Sequence, residues 1–368
     1  MIVGIDATNI KSEGGIIHLT ELINNLEINK LRIKKIYIWG NSKNLKKIKN
    51  NSLIKKMSID FFEKNIFLRI FWQLFLLQTK LREKNCSILV VLGGIFFNKK
   101  IKTVTVFQNI LPFIKDDVRK YGITKRFKMF VQKRIYLRSF KNSDGIIFLS
   151  KYSKKVLSKE LNLNGIKSAI IPHGVSNQFK FKKKIIYDKK KIKLLYVSTI
   201  EAYKQQDFII RALANFKKKL NFELSLVGSF NQKYKLFLDN LIFNLNLKKN
   251  IKFYGKIKNN YMNKIYNDND IKIHFSESET FGMTMLEAMK CGLPIIAIEN
   301  EISKEILGGA GFFCKNSYKS LENVIYQILS NKKYVIKKIN LGKNISRLYN
   351  WKATSKKTFL FLEKISNL

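Results

Sequence analysis

The regular alternation of short, β-branched apolar runs with stretches of helical periodicity is the feature that most constrains the fold of this chain. Such alternation is typical of βαβ units, which build parallel sheets. The predicted strands of the first half are Ile2–Asp6, Lys35–Trp39, Cys86–Leu92, Lys102–Phe107, Gly145–Leu149 and Ser168–Ile171. Those of the second half are Lys193–Val197, Glu223–Val227, Ile251–Tyr254, Ile271–Phe275 and Pro294–Ile298. This number of strands indicates two sheets.

The length of the chain also favours two domains. At 368 residues, 46% of them hydrophobic, it exceeds the size at which one core usually stops growing. The charged stretch Gln178–Lys191 has no clear period, and we interpret it as the linker. We therefore predict an α/β protein with two doubly wound parallel-sheet domains, residues 1–180 and 181–345, and a C-terminal helix within 346–368 that returns to the first domain.

The cysteines indicate no covalent or metal framework. Cys86, Cys291 and Cys314 lie far apart and match neither a disulfide pattern nor a zinc site. We expect a reducing, cytoplasmic compartment and three buried thiols. The start of the chain, MIVGIDATNI, lacks the basic and apolar regions of a signal peptide, so no cleaved leader is expected.

The charge of the chain is strongly positive. Lys and Arg number 70 against 26 Asp and Glu, a net charge of +44 that would attract polyanions or an anionic membrane. An AT-rich coding bias would produce the same lysine content, so both explanations stay open. The lysines are scattered and accompany no nucleic-acid-binding module, and nucleic acid is therefore not an expected partner.

An apolar stretch adds to the membrane interpretation. Residues Ile66–Leu77, IFLRIFWQLFLL, contain Arg69 and Gln73 and are too short to span a bilayer. A buried or interfacial amphipathic helix fits this stretch. Together with the charge, it predicts a peripheral protein at the inner face of the cell membrane.

The segment Ile271–Ile298, IKIHFSESETFGMTMLEAMKCGLPIIAI, carries the clearest chemical pattern. It predicts a strand, a polar loop ending at Gly282, a helix and a second strand. Backbone N–H groups of Gly282, Met283 and Thr284 would face a phosphate at the helix N-terminus, where the helix dipole favours an anion.

Two acidic residues flank that helix start. Glu279 lies in the loop, and Glu287 lies at the edge of the apolar helix face. The spacing alone is compatible with a ligand-binding pair, but a solvated helix glutamate beside a loop glutamate is the commoner arrangement.

The stretch SESETFGMTMLEAMKCGLPIIA resembles the E-x7-E segment of the retaining glycosyltransferases of family 4, which have the two-domain GT-B fold. The resemblance implies that Glu287 binds the ribose hydroxyls of a nucleotide sugar and that Glu279 binds the transferred sugar. It also implies that Phe281 to Thr284 contact the sugar and the diphosphate. A carboxylate that accepts two hydroxyl hydrogen bonds is chemically sensible, because charged acceptors make the stronger bonds.

Two further segments resemble the same family. KSEGGIIHLTELI is similar to the glycine-rich first loop, in which Gly14 and Gly15 would allow close approach of the donor; a Gly-Gly turn without function is the alternative. YVSTIEAYKQQD stands where the family carries an arginine and, five residues later, a lysine for the diphosphate. Lys204 keeps the lysine, whereas Thr199 occupies the arginine position. Lys204 and Glu279 are thus the expected catalytic residues.

The segments VFQNILPF, FLSKYSKKVL and IPHGVSNQF are similar to parts of transferases that act on bacterial surface polysaccharides and lipopolysaccharide. Asn109 and His173 of these segments, together with His18 of KSEGGIIHLTELI, are the expected residues of an acceptor side. A histidine satisfied by a nearby backbone group is the alternative for both imidazoles.

The resemblance implies a retaining hexosyl transfer from GDP-mannose or a UDP-hexose to a glycan or lipid-linked acceptor. Lys204 and the helix N-terminus at Gly282 would stabilise the departing nucleoside diphosphate without a metal or other cofactor, in agreement with the absence of an acidic metal-binding motif in a suitable loop. A nucleotide-sugar epimerase and a non-catalytic sugar- or nucleotide-binding protein of the same fold are the alternatives.

Overall fold

The computed structural model describes residues 1–28, 31–96, 100–181 and 191–367. Most of the predicted linker, Gln178–Lys191, therefore lies outside the described residues. The strands are β1 Ile2–Asp6, β2 Lys35–Gly40, β3 Ile54–Ser58, β4 Ile88–Val91, β5 Lys102–Phe107, β6 Gly145–Phe148, β7 Lys167–Ile170, β8 Ile192–Val197, β9 Phe222–Val227, β10 Ile251–Gly255, β11 Ile271–His274, β12 Ile295–Ile298 and β13 Phe312–Cys314.

The described helices alternate with these strands. They are α1 Glu13–Asn24, α2 Ser42–Leu45, α3 Asp60–Glu63, α4 Ile66–Phe71, α5 Leu77–Glu83, α6 Lys115–Arg119, α7 Ile123–Lys141, α8 Lys151–Ser158, α9 Gln206–Asn215, α10 Gln232–Asn244, α11 Met262–Asp268, α12 Met283–Lys290, α13 Glu301–Leu307, α14 Tyr318–Ser330, α15 Lys332–Arg347 and α16 Trp351–Ser366.

The strands form two parallel sheets. The first has the order β3-β2-β1-β4-β5-β6-β7 and the second β10-β9-β8-β11-β12-β13. In each, the order reverses beside the first strand of the sheet, which is the doubly wound Rossmann-like arrangement. This topology confirms the predicted fold class.

The sequence did not predict two of these strands, β3 and β13. Both lie at a sheet edge, where a strand needs only one partner. β3, with the sequence IKKMS, is largely polar, and β13 has only three residues. Neither therefore carries the long apolar run by which the interior strands are identified.

The chain divides into two compact units. The first comprises Met1–Phe113, Ile123–Gly174 and Asn350–Leu368, and the second comprises Ile114–Gly122 and Val175–Tyr349. The short segment Ile114–Gly122 thus belongs to the second unit, whereas the sequence-based division assigned it to the N-terminal domain.

The last helix, α16, packs within the first unit. The Ser355 hydroxyl donates a hydrogen bond to the Leu22 carbonyl of α1 over 2.7 Å, and the Thr354 hydroxyl donates one to the Pro172 carbonyl over 2.8 Å. Phe359 and Leu362 of this helix are buried. Polar anchors and apolar packing together hold the chain end on this unit.

The stretch Ile66–Leu77 is helical, as predicted. α4 continues through a π-helical turn, Trp72–Leu76, into α5. Gln73 lies in this turn, is buried, and donates to the Asp6 carboxylate over 2.8 Å. The three cysteines are buried and unbridged, as expected: Cys86, Cys291 and Cys314.

Replacing Gly228 by alanine should destabilise the second unit by about 1–3 kcal/mol. An added Cβ would lie 1.9 Å from the Ser198 carbonyl oxygen, and the φ of 145° is one that L-residues rarely adopt. Urea unfolding followed by circular dichroism measures the loss. Gly122→Ala is the matched control in the same unit, since no atom lies within 4 Å of its added Cβ. Equal unfolding midpoints for both variants would contradict this account.

Candidate functional site

The candidate site of the second unit lies at the carboxyl end of β11. This strand pairs in parallel with β8 on one side and β12 on the other. Chains leaving parallel strands emerge at the same sheet edge, and ligands of doubly wound folds bind there, where the strand order reverses. The loop after β11 carries Glu279 and leads into α12.

Gly282 shapes the start of α12. It is the N-cap residue with a φ of 84°, in the left-handed region that glycine adopts without strain. A Cβ at this position would lie 2.5 Å from the Met285 side chain. The first N–H groups of a helix have no intrahelical acceptor, so those of Met283 and Thr284 can bind an anion.

Lys204 and Glu279 form an ion pair at this edge. The Lys204 ammonium donates to a Glu279 oxygen over 2.5 Å and to the Ser276 hydroxyl over 3.0 Å. The Lys204 side chain is 8% exposed and that of Glu279 is 18% exposed. The Tyr196 hydroxyl fixes the turn by donating to the Lys204 carbonyl over 2.5 Å.

Both members of this pair are charged at neutral pH. Burial disfavours the charged form of Lys204. The attraction of the Glu279 carboxylate opposes this effect, and the pKa of Lys204 is raised. Burial likewise opposes ionisation of Glu279, and the Lys204 charge outweighs it and lowers the pKa of Glu279. The result is a fixed cation beside the start of α12.

Thr199 does not replace the missing arginine. Its side chain is exposed, and its carbonyl accepts a hydrogen bond from the Gln206 amide over 3.0 Å. The same amide donates to the Ser198 hydroxyl over 3.0 Å. The turn is therefore held by neutral groups.

Glu287 lies on α12, one turn beyond the helix start. It is partly buried and accepts a hydrogen bond from the Tyr266 hydroxyl of α11 over 2.6 Å. Burial raises the pKa of Glu287 to about 7, against the opposing effects of Tyr266 and Lys272. This carboxyl group therefore titrates close to neutral pH.

The Phe281 side chain, which the resemblance places near the sugar and the diphosphate, is buried in the second unit. Its ring packs edge-on against Tyr349 with the centroids 5.7 Å apart. The ring is therefore part of the packing of the second unit. Met283 and Thr284 are half-buried at the helix start.

Sequence reasoning missed two buried polar residues of β11, Lys272 and His274. Ile271 and Ile273 alternate with them and join the apolar core of the second unit. Lys272 and His274 therefore point to the opposite sheet face. The signal was a lysine and a histidine inside an otherwise apolar parallel strand.

Sequence reasoning also missed the contribution of Ile114–Gly122. The Ser278 hydroxyl, in the loop that carries Glu279, donates to the buried carboxylate of Asp117. The Tyr121 hydroxyl donates to Glu201 over 2.8 Å. These contacts join residues far apart in sequence, and no local pattern could have indicated them.

Gly14 and Gly15 lie in the first turn of α1, in the first unit, and not in a loop as predicted. Ser12 caps this helix and accepts from the Gly15 N–H over 3.2 Å. A Cβ on Gly15 would lie 2.9 Å from the Ile10 side chain. Capping by Ser12 explains why the chain becomes helical at these glycines.

His18 and His173 lie together in the first unit, with ring centroids 4.5 Å apart. The His18 Nδ1 atom hydrogen-bonds the Gln108 side chain, and not a backbone group as the alternative supposed. Burial lowers the pKa of His18 to about 4, and burial together with His18 lowers the pKa of His173. Both rings are therefore neutral. Trp351 packs against both.

Asn109 also lies in the first unit. Its carbonyl oxygen accepts from the Leu111 N–H over 3.3 Å, and its amide donates to the Tyr136 hydroxyl over 3.4 Å. These bonds give it a role in the local turn. The structure thus brings Lys204, Glu279, Gly282 and Glu287 together in the second unit and His18 and His173 together in the first.

Comparison with known proteins gives a family match over part of the chain. The family model "Glycosyl transferases group 1" matches residues 177–346, which include all four residues grouped above in the second unit. An uncharacterized glycosyltransferase of Methanocaldococcus jannaschii is 24% identical over 61% of this chain. This chain spans 60% of the length of that relative.

Two solved structures share the fold over their whole length. HepE from Anabaena, in complex with UDP and glucose, has a TM-score of 0.75 at 16% identity and covers 100% of both chains. WaaG, a glycosyltransferase involved in lipopolysaccharide biosynthesis, has a TM-score of 0.73 at 15% identity and covers 98% of both chains. Residues 177–346 thus match the group 1 glycosyltransferase model, and the chain shares the two-domain GT-B fold of these structures.

Proposed function

We propose that the chain is a retaining glycosyltransferase that moves a hexose from a nucleotide-sugar donor to a glycan or lipid-linked acceptor. The observation that carries this proposal is the buried Lys204–Glu279 pair beside the N-terminus of α12. Transfer builds negative charge on the departing diphosphate, and a fixed cation and a helix N-terminus stabilise such charge. Neither contribution requires a metal.

The two acids have separate roles in this mechanism. Glu287 accepts hydrogen bonds from the ribose hydroxyls, and Glu279 contacts the transferred sugar. When a phosphate oxygen approaches Lys204, it competes with Glu279 for the ammonium. The carboxylate then becomes available to the sugar ring, where positive charge develops during transfer.

We assign donor binding to residues 181–345 and acceptor binding to residues 1–180. The neutral rings of His18 and His173 can hydrogen-bond sugar hydroxyls without adding charge, and Asn109 follows the neighbouring strand β5. The glycines at the start of α1, Gly14 and Gly15, remain candidates for close approach of the donor.

The donor is GDP-mannose or a UDP-hexose in this proposal, and the product is a surface polysaccharide or lipopolysaccharide. HepE in complex with UDP and glucose favours the UDP-hexose, and WaaG, which is involved in lipopolysaccharide biosynthesis, favours a lipopolysaccharide product. A thermal-shift screen with UDP, GDP and ADP tests the site, since a ligand at 100 times its dissociation constant stabilises a protein by about 2.7 kcal/mol. Mass spectrometry of products then separates transfer from epimerisation, and binding without turnover indicates a non-catalytic protein.

Two helical segments of the first unit with exposed aromatic side chains support peripheral membrane binding. Along α4 and the π-helical turn, Phe67 is 79% exposed and Phe75 is 61% exposed. On α7, Phe127 and Phe130 are exposed beside several basic residues. Exposed aromatic side chains near lysine and arginine favour an anionic lipid surface. None of the described helices combines the length and apolar character needed to cross a bilayer.

Binding to anionic liposomes should fall steeply between low and physiological ionic strength, because salt screens the lysines. Co-sedimentation with phosphatidylglycerol vesicles measures the fraction of protein that is bound. Phe67→Ser should weaken it, whereas Phe243→Ser is the control, since Phe243 is 71% exposed in the second unit. Equal binding to neutral and anionic vesicles, or to neither, would refute peripheral attachment.

Lys204→Ala should lower kcat by about 10²–10³-fold, the range measured for loss of one donor to a developing oxyanion. Turnover with the best donor measures it. Thr199→Arg should be tolerated because the Thr199 side chain is exposed, and Lys233→Ala is the exposed control. Near-normal activity of Lys204→Ala would mean that another cation, such as Arg211 or Lys256, serves the diphosphate.

Glu287→Gln should raise the donor KM, at a loss of about 1–3 kcal/mol for weaker hydrogen bonds to the ribose. Glu279→Gln should lower kcat more than it weakens binding, because its interaction grows in the transition state. Steady-state kinetics and nucleoside diphosphate affinity measure both. The roles are reversed if Glu279→Gln weakens nucleoside diphosphate binding and Glu287→Gln leaves it unchanged.

A further inference from the structure

Lys272 is a buried charge in a place where parallel sheets carry apolar residues. It lies in β11, between β8 and β12, and its side chain is fully buried. Interior parallel strands are usually apolar on both faces. Its ammonium has no hydrogen-bond partner among the residues that the structure describes. Burying an ammonium in this way is costly unless an opposite charge compensates it.

The compensating charges belong to the candidate site. Burial lowers the pKa of Lys272 to about 7, and the Glu287 carboxylate is the strongest influence in the opposite direction, followed by Glu279. Reciprocally, Lys272 favours the ionised form of Glu287. Lys272 is thus electrostatically coupled to the acid that would bind ribose, and its buried side chain lies on the sheet face opposite the apolar core of the second unit.

The other charged groups around Glu287 are engaged elsewhere. Lys204 pairs with Glu279, and the buried ring of His274 is neutral because burial lowers its pKa to about 3. Tyr266 holds Glu287 by a hydrogen bond, and burial raises the pKa of Tyr266.

The helices that pack on α12 carry charges with partners of their own. On α13, Lys304 forms an ion pair with Glu299 over 2.9 Å. The charge of Glu305, on the same helix, contributes to the raised pKa of Tyr349. On α15, Lys338 donates to the Gly309 and Gly311 carbonyls, and Lys343 lies over the Phe181 ring. Cys291, at the end of α12, acts electrostatically on Tyr266 and Lys290 and favours a higher pKa of both.

We propose that Lys272 is a positioning residue of the donor site, whose buried ammonium keeps Glu287 ionised and thereby able to accept hydrogen bonds from the donor ribose. This inference rests on the proposed function and adds a residue to it. Lys272 does not touch the donor. It acts through Glu287, and the pair exchanges protons as one unit near neutral pH.

The direction of the pH dependence follows from the charges. Glu287 gains a proton as the pH falls through about 7, so donor affinity should weaken on the acidic side. Without the Lys272 charge the pKa of Glu287 rises further, and the affinity profile moves to higher pH. A shift of one pH unit corresponds to about tenfold weaker binding on the acidic limb.

The test is the affinity for UDP or GDP, whichever stabilises the wild type more, measured by calorimetry from pH 5.5 to about 9. Lys272→Met should shift the pH dependence of nucleoside diphosphate affinity to higher pH by about one pH unit or more. Lys193→Met is the matched control, because Lys193 is exposed on the adjacent strand β8. Titration of the ligand phosphate is common to all variants and cancels in the comparison.

A double variant keeps the test informative if Lys272→Met alone fails to fold. Glu287→Gln should make the affinity for UDP or GDP nearly independent of the protonation of the protein. Adding Lys272→Met to Glu287→Gln should change that affinity by less than about twofold. An unshifted profile for folded Lys272→Met, or an equal loss in the Glu287→Gln background, would overturn the inference while leaving the proposed function intact. Absence of any nucleoside diphosphate binding by the wild type would instead overturn the proposed function, and with it this inference.

Discussion

The central position of β11 in the second sheet is the constraint on which the candidate site depends. Its parallel pairing with β8 and β12 brings three strands to one edge, where the turn carrying Lys204 meets the loop carrying Glu279. A one-residue slip of β11 would direct Lys272 into the apolar core and Ile273 toward α12. The alternation that builds the core therefore also fixes the charges of the site.

The balance of charge within the site contrasts with that of the whole chain. The net charge is +44, and only 26 residues are acidic, yet Glu279 and Glu287 both lie in this cluster with Lys204 and Lys272. Charges inside a protein are screened less by salt than exposed ones. The surface lysines can thus attract anions from solution, while under the proposed function Lys204, Glu279 and Glu287 contact the bound donor.

Local patterns predicted much of the fold and part of the site. The strand, loop and helix of residues 271–298 follow from short-range signals, and Gly282 has the left-handed backbone that its position requires. The Lys204–Glu279 pair joins residues 75 positions apart and becomes visible only once the strand order is known. The same limit applies to Asp117, whose contact with Ser278 crosses 161 positions. Lys272 did carry a local signal, a charge within a parallel strand.

Under the proposed function, the Lys204–Glu279 ion pair and the electrostatically coupled residues Lys272 and Glu287 respond differently to a donor. Lys204 and Glu279 are both charged at neutral pH, so an incoming diphosphate exchanges one anionic partner of Lys204 for another. Lys272 and Glu287 lie near their titration point, and hydroxyl hydrogen bonds to the Glu287 carboxylate would stabilise its ionised form. Under the proposed function, ribose binding therefore draws the second pair toward its charged state. In the same proposal, diphosphate binding releases Glu279 from Lys204 and makes its carboxylate available to the transferred sugar.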